Sequence, residues 1–318
     1  MIALPSSAVV FDALVSWKAT FVYAYVLWAL FVHYRGRERH KFHRQLTDHS
    51  TIIAPYNAIM YAFSAVPNRP FIDLKSFPEL SPLLAHWREI RTEALQLFDE
   101  GHIRAAARYN DLGFNSFFRR GWKRFYLKWY DASLPSARAL CPRTVALVEA
   151  IPSINGAMFA LLPAGADLGR HRDPFAGSLR YHLGLVTPND ERCRIFVDGE
   201  PYHWRDGEAV MFDETFIHWA ENRTDVDRLI LFCDVERPLT NRVVARLNHW
   251  IKGTFVRASQ TENTAGDKVG FLNRLFGYAY YLRIPGKTLK RWNKYVYYAT
   301  KFAILGLILY AVFFTRWP

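Results

Sequence analysis

The sequence predicts a mainly β core of sandwich or jelly-roll type, with flanking α-helices and a transmembrane helix at each end. Three observations carry that expectation. Short β-rich runs separated by Asp-Gly and Pro-Asn pairs fill the stretch after Ile151, a helical apolar spacing precedes it, and a long apolar stretch lies near either terminus.

Composition sets the outer limits. Apolar residues make up 51% of the 318, enough to bury a substantial core and to exclude a mainly disordered chain. The formal charge is +12 and the aromatic share 16%, a pairing that points to nucleic acid or to an anionic lipid surface. No zinc-finger or RNP pattern occurs and much of the charge hugs the apolar ends, so lipid is favoured and nucleic acid is set aside. Cys141, Cys193 and Cys233 are widely spaced with no CxxC pair, which reads as reduced core thiols in a cytosolic setting.

Near the N-terminus, ATFVYAYVLWALFVHY runs from Ala19 without an Asp, Glu, Lys or Arg, and counting back to Ala13 gives about 22 residues interrupted by Lys18 alone. That is close to the ~20 residues a helix needs to cross a bilayer. Basic residues follow it rather than precede it, which argues against a signal peptide. The stretch from Tyr295 to Phe314 mirrors the pattern, with Lys287, Lys290, Arg291 and Lys294 in front and Lys301 placed where it could snorkel. The positive-inside rule then puts the middle of the chain in the cytoplasm and both termini in the periplasm, with interfacial attachment of one end as the alternative.

Between these ends, SPLLAHWREIRTEALQLFDEGHI carries Leu83, Leu84, Trp87, Ile90, Leu95 and Phe98 at helical spacing after a Ser-Pro start. Beyond Ile151 the runs SLRYHLGLV, CRIFVDGEPYHW, EAVMFDETFIHW and RLILFCDVE read as strands of hairpins, with Asp198-Gly199 and Asp206-Gly207 as turns.

His171-Arg172-Asp173 sets two ligand types at i and i+2, on one face of an extended chain and about 7 Å apart. The pair alone is also what a hydrogen-bonded surface turn looks like. His218, 47 residues later at the end of a β run, supplies a third ligand from a distant strand. Two imidazoles and one carboxylate on one face of an octahedron leave positions open, which suits Fe(II) that must bind a co-substrate and O₂. Three ligands without a fourth protein donor fit a closed structural zinc site poorly. Arg228 opens the apolar strand RLILFCDV, where it either faces inward to pair with a carboxylate or sits exposed at the strand end. Ser178, Arg180 and His182 alternate along SLRYHLGL and so share a face, which requires a polar cavity in the core. Arg119, Arg120, Lys123 and Arg124 are interleaved with Phe117, Phe118, Trp122, Phe125 and Tyr126; they read either as a lipid-phosphate contact or as a solvated basic face over core rings.

The motif HRD followed by RYHLGL, then HWAEN and a downstream arginine, resembles the aspartyl/asparaginyl β-hydroxylase family of 2-oxoglutarate dioxygenases over roughly residues 105 to 240. DHSTIIAPYNAIMYAFSAVPNRPF, GFNSFFRRGWKRFYLKWY, FDETFIHWAENRTD and the apolar ends are similar to its bacterial lipid-modifying branch, which hydroxylates a secondary acyl chain of lipid A at C2. The resemblance implies a double-stranded β-helix in which His171, Asp173 and His218 bind Fe(II) and form the catalytic centre. It further implies that Arg228 grips the distal carboxylate of 2-oxoglutarate and that Arg180, His182 and Trp122 lie near this co-substrate. Animal members have glycine where Asp173 stands, and the serine they set against the co-substrate has no clear counterpart here. Hydroxylation of Asp or Asn side chains in a protein is the alternative that the family name carries. The expected plan is an N-terminal anchor (1–34), a basic helical segment (35–104), the dioxygenase core (105–240), a helical segment (241–294) and a C-terminal anchor (295–318), held at the bacterial inner membrane.

Overall fold

A computed structural model describes residues 15–46, 48–105, 111, 114–130, 132–264 and 266–314. Two antiparallel sheets form its centre. Seven strands build the larger: β1 (Phe71–Ile72), β2 (Lys123–Trp129), β3 (Ala132–Ser133), β4 (Ile154–Leu162), β6 (Ser178–Val186), β9 (Ala209–Phe212) and β11 (Arg228–Glu236), in the order β1-β9-β6-β11-β4-β2-β3. The smaller has the order β5-β10-β7-β8, from β5 (Asp167–His171), β7 (Cys193–Val197), β8 (Glu200–His203) and β10 (His218–Asn222).

The three central strands of the large sheet, β6, β11 and β4, are buried on both faces. All nine residues of β4 are buried, as are eight of nine in β6. Towards the small sheet, β6 presents Arg180 and His182, and β11 presents Arg228, Ile230 and Phe232. The alternate residues Leu179, Tyr181, Leu183, Leu229, Leu231 and Cys233 enter the apolar core on the other side. The Asp-Gly turns fall where expected. Asp198 (φ 53°) and Gly199 (φ 88°) close the β7–β8 hairpin in the left-handed region that such two-residue loops require.

Helices lie outside the sheets. Those of eight residues or more, numbered in chain order, are α1 (Trp17–Tyr34), α2 (Ala54–Ala62), α3 (Trp87–Asp99), α4 (Pro142–Glu149), α5 (Arg242–Ile251), α6 (Phe271–Trp292) and α7 (Lys294–Phe314). The helical run expected from Leu83 is interrupted at His86, and the buried stripe of α3 is Ile90, Ala94 and Leu97 at i, i+4 and i+7. Leu84 and Phe98 of the expected stripe are exposed. The three cysteines are buried thiols that form no disulfide.

The two expected transmembrane helices are not found: among the described residues no helix is long and apolar enough to cross a membrane. α1 has 18 residues, roughly 27 Å of helix, against a hydrocarbon core of about 30 Å. Its C-terminal end packs on the protein, with Val32 joining a small core of Ala54, Met60 and Tyr61. In α7, Lys294, Lys301 and four tyrosines dilute the apolar run. Nor is the segment 35–104 separate from the core, because it supplies β1 at the edge of the large sheet and, with the end of α1, contacts to both loops of the site described next.

Candidate metal centre

His171 is the last residue of β5 and His218 the first of β10, and the antiparallel register sets the two opposite each other. Their ring centroids lie 4.2 Å apart. Asp173, two residues beyond His171, comes within 3.9 Å of the His171 Nε2 through Oδ1. Ligand atoms of all three lie within 4.8 Å of one another, so the structure brings together the sequence-predicted set.

Backbone carbonyls set both tautomers. Gly169 O accepts from His171 Nδ1 at 2.7 Å, and Phe216 O accepts from His218 Nδ1 at 3.0 Å. A carbonyl only accepts, so each Nδ1 carries the hydrogen and each Nε2 keeps a free lone pair, as a metal ligand needs. Burial lowers the pKa of both imidazoles, and for His218 the neighbouring His171 adds to the effect and brings it to about 3. Both rings are therefore neutral at pH 7. Asp173 has the opposite need. Burial favours its neutral form, but Arg180 first, then His218 and His171, reverse this and hold its pKa below the ordinary carboxylate value.

Arg180 is the hub of this arrangement. Its Nη2 donates to Asp173 Oδ2 at 2.7 Å, its Nε to Glu214 Oε2 at 2.5 Å, and its Nη1 lies 3.0 Å from Asp234 Oδ1. The guanidinium also lies 3.7 Å from the ring centroid of Phe232. Glu214, which the sequence reading passed over, further accepts from Ser178 Oγ at 3.0 Å, and its carbonyl accepts from the Asp173 amide at 2.9 Å. Arg180 therefore borders the cavity as the ion-pair partner of three protein carboxyl groups. Burial, opposed by Arg180 and reinforced by Asp173, raises the pKa of Asp234.

Arg228 differs in kind. It is 2% exposed, faces inward as one sequence reading required, and forms no ion pair among the described residues. Burial lowers its pKa to about 10, its Nε is without a partner, and its guanidinium lies 4.4 Å from the Trp204 ring centroid. Beside it His182 is buried and, among the described residues, neither of its ring nitrogens is bonded; the Trp204 indole N–H is likewise buried and without a partner there. Burial first, then Arg228, drives His182 well below its usual pKa. Buried polar groups are almost always bonded, so three orphans lining one cavity describe a site for an acidic ligand. Trp204 was not foreseen. It follows β8 in a loop, where periodicity offers no reading.

The remaining wall is apolar: Phe114, Phe117, Trp122, Leu168, Ile195, Phe212 and Ile230. Trp122 is there as expected, stacked on Phe114 at 4.9 Å, and Phe117 meets the His171 ring edge-on at 4.7 Å. The basic run beside it divides. Lys123, Arg119 and Arg120 are exposed, and Arg120 pairs with Asp167. Arg124 is a correction, being 2% exposed and ion-paired with buried Asp111, out of reach of any headgroup. Trp122, Phe125 and Tyr126 are core rings for the same reason: β2 is covered on both faces.

A two-sheet β core carrying two imidazoles and a carboxylate on facing strand ends defines a protein with a candidate mononuclear metal centre. Residues 84–238 match the family model described as Aspartyl/Asparaginyl beta-hydroxylase. An ornithine lipid ester-linked acyl 2-hydroxylase of Rhizobium tropici is 38% identical over 130 residues, 41% of this chain and 46% of that one. Aspartate beta-hydroxylase domain-containing protein 2 of Homo sapiens is 32% identical over 37% of this chain and 34% of its own length. The human aspartyl/asparaginyl beta-hydroxylase is 28% identical over 48% of this chain and 20% of its own. The matches thus span less than half the length of these relatives. Among solved structures, a Pseudomonas putida prolyl-4-hydroxylase overlays 57% of this chain and 99% of its own at 18% identity and a TM-score of 0.32, too slight a likeness to argue from.

Proposed function

We propose that the protein is an Fe(II)- and 2-oxoglutarate-dependent hydroxylase acting on a lipid-borne acyl chain at C2, with lipid A as the substrate. The observation that carries the chemistry is the pairing of two sites in one cavity: a neutral-imidazole, ionised-carboxylate ligand set, and next to it a buried arginine with no carboxylate partner among the described residues. The donor set fits Fe(II), since it occupies one face of an octahedron and leaves room for further ligands. Bound iron, with 2-oxoglutarate and O₂, supplies the oxidising power to hydroxylate an unactivated C–H bond, and 2-oxoglutarate leaves as succinate and CO₂.

The chain's own residues do the rest. His171, Asp173 and His218 hold the metal, Arg180 keeps Asp173 ionised and oriented, and Arg228 with His182 and Trp204 receives the co-substrate carboxylates. Phe114, Phe117 and Trp122 exclude water and present a greasy wall suited to an acyl chain. Support for a lipid substrate comes from the Rhizobium tropici relative, an ornithine lipid ester-linked acyl 2-hydroxylase. The proposed place of action is the cytoplasmic leaflet of the bacterial inner membrane, where exposed Arg37, Arg39 and Lys41 after α1 favour anionic lipid.

The test is to incubate the full chain with Fe(II), 2-oxoglutarate and either lipid A or an Asp- and Asn-containing peptide, measuring succinate and product mass. Gain of one oxygen on the acyl chain, lost in Asp173→Ala, is expected. Gain of one oxygen on the peptide alone moves the substrate to protein side chains, and no succinate with either refutes the chemistry.

A further inference from the structure

Both ligand-bearing segments lie at strand ends, where ladder hydrogen bonding runs out. His171 closes β5 and leads into the loop 172–177, while the loop 213–217 leads into His218. We infer that the stretch from Val32 to Asn57, outside the part matched to the family, is a brace that fixes both loops, with Arg35 and Arg172 as its positioning residues. This rests on reading His171, Asp173 and His218 as the metal ligands.

Towards the first loop the contacts are dense. Arg172, between two ligands in sequence and 3% exposed, donates through Nη1 to Val32 O at 2.9 Å, in the last turn of α1. Carbonyls there have no partner within the helix, so the guanidinium serves as their cap. In return His49 Nε2 donates to Arg172 O at 2.8 Å, and Arg44 Nη2 to Arg170 O at 3.1 Å. Asn57, fully buried, donates to Pro174 O at 2.9 Å and accepts from the Ala176 amide at 3.0 Å.

Towards the second loop the contact is Arg35. Its Nη2 meets Asp213 Oδ2 at 2.5 Å and its Nη1 donates to Thr215 Oγ1 at 2.7 Å. Its guanidinium lies 3.8 Å from the Tyr61 ring centroid and 3.9 Å from that of Phe216. Phe216 is the residue whose carbonyl sets the His218 tautomer. A chain of direct contacts therefore runs from Arg35 through Phe216 to a ligand. The following strap is pinned as well, since the Arg37 and Glu38 amides donate to the Asp198 carboxylate at 3.0 and 2.8 Å. A Cβ at position 36 would lie 2.5 Å from Asp198 Oδ1, so any residue larger than glycine there requires the pinned carboxylate to shift.

Partners that orient metal ligands from behind typically govern affinity by about 10- to 100-fold, and this brace is such a set supplied by a remote segment. The experiment is a Co(II) titration of the metal-free full chain, read by visible ligand-field absorption, for wild type, Arg35→Gln, Arg172→Gln and Met60→Ala. Met60 is buried in the core under α1 and α2 and bonds neither loop, so its truncation loosens the same packing without cutting the brace. Expected are Co(II) affinities about tenfold weaker in each arginine variant, with an altered absorption band, and an unchanged affinity in folded Met60→Ala. Should Arg35→Gln not fold, Arg35→Lys replaces it; an amine keeps the charge against Asp213 but cannot fork to Thr215, so weakening of severalfold is expected. Wild-type affinity in folded arginine variants, or equal weakening in Met60→Ala, overturns the brace while leaving the ligand assignment standing. No Co(II) binding by the wild type overturns the ligand assignment and the brace together.

Discussion

Replacing Arg228 by methionine is expected to move stability and co-substrate affinity in opposite directions. This guanidinium is buried and forms no ion pair among the described residues, and its pKa falls from the usual 12.5 to about 10. That difference corresponds to a desolvation cost on the order of 3 kcal/mol. Methionine, of similar length and apolar, removes that cost but forfeits the cation–π contact with Trp204, about 1–2 kcal/mol at a desolvated site. The net expectation is a ligand-free protein more stable by ~1–2 kcal/mol. Binding of 2-oxoglutarate loses a buried charge pair, ~2–5 kcal/mol, or roughly 30-fold and upward. Urea unfolding without ligand and calorimetric titration of 2-oxoglutarate in the presence of Mn(II) under nitrogen measure the two quantities. A variant less stable by ~3–5 kcal/mol with unchanged affinity would refute the reasoning, since that is the mark of breaking an internal pair.

Trp204→Phe keeps a ring beneath Arg228 and removes only an N–H that has no partner among the described residues. Ligand-free stability should hold or rise, while KM for 2-oxoglutarate in the succinate assay rises about three- to tenfold, as for loss of one hydrogen bond to a charged group. An unchanged KM would place the indole outside the acid site. His218→Gln addresses the imidazole held neutral by burial. The folded pKa of about 3 lies below the ordinary 6.5, so as pH falls below 6.5 the unfolded chain takes up the proton first. This group therefore withdraws stability from the metal-free protein between pH 6.5 and 3, by up to ~1.4 kcal/mol per pH unit, and withdraws none above that window. Urea unfolding at pH 7 and pH 5 should show a smaller pH dependence in His218→Gln than in wild type, and equal dependence would mean that His218 is not held neutral.

Period-2 alternation made much of the site legible. Once β6 is a strand with one greasy face, Arg180 and His182 must look into the interior, and they do; Arg228, which the pattern left either inward or exposed at the strand end, faces inward with them. The Asp-Gly turns likewise set the β7–β8 hairpin, which pairs through β7 with β10 and so helps seat His218. Alternation fails where a strand is covered on both sides. β2 carries a register shift between Tyr126 and Lys128 and is buried at five of its seven positions, so Arg124 looks from sequence like its exposed neighbours and turns out to face Asp111. An apolar run likewise has no signature that separates a membrane span from a helix folded back on its own domain, and α1 ends by capping onto Arg172. The brace was illegible for another reason: Arg35 and Asp213 stand 178 residues apart, and no local pattern encodes such a pair.

The charges in the cavity make a final demand on the ligands. Arg180 and Arg228 bring two positive charges, opposed by the carboxyl groups of Asp173, Glu214 and Asp234. Adding only a divalent metal shifts this buried space by two positive charges, and adding only a dicarboxylate shifts it by two negative ones. Each state is penalised by the low dielectric. Together they sum to zero, so metal and co-substrate must favour each other, and linkage makes the effect equal in both directions. Couplings of ~1–3 kcal/mol are usual, which corresponds to Mn(II) affinity rising about five- to 150-fold when 2-oxoglutarate saturates, and the converse by the same factor. Arg228→Met deletes one of the positive charges and should shrink the coupling along with the affinity. Equal Mn(II) affinity with and without 2-oxoglutarate would show that the two ligands do not share this cavity, and the pairing of metal centre and acid pocket would then have to be abandoned.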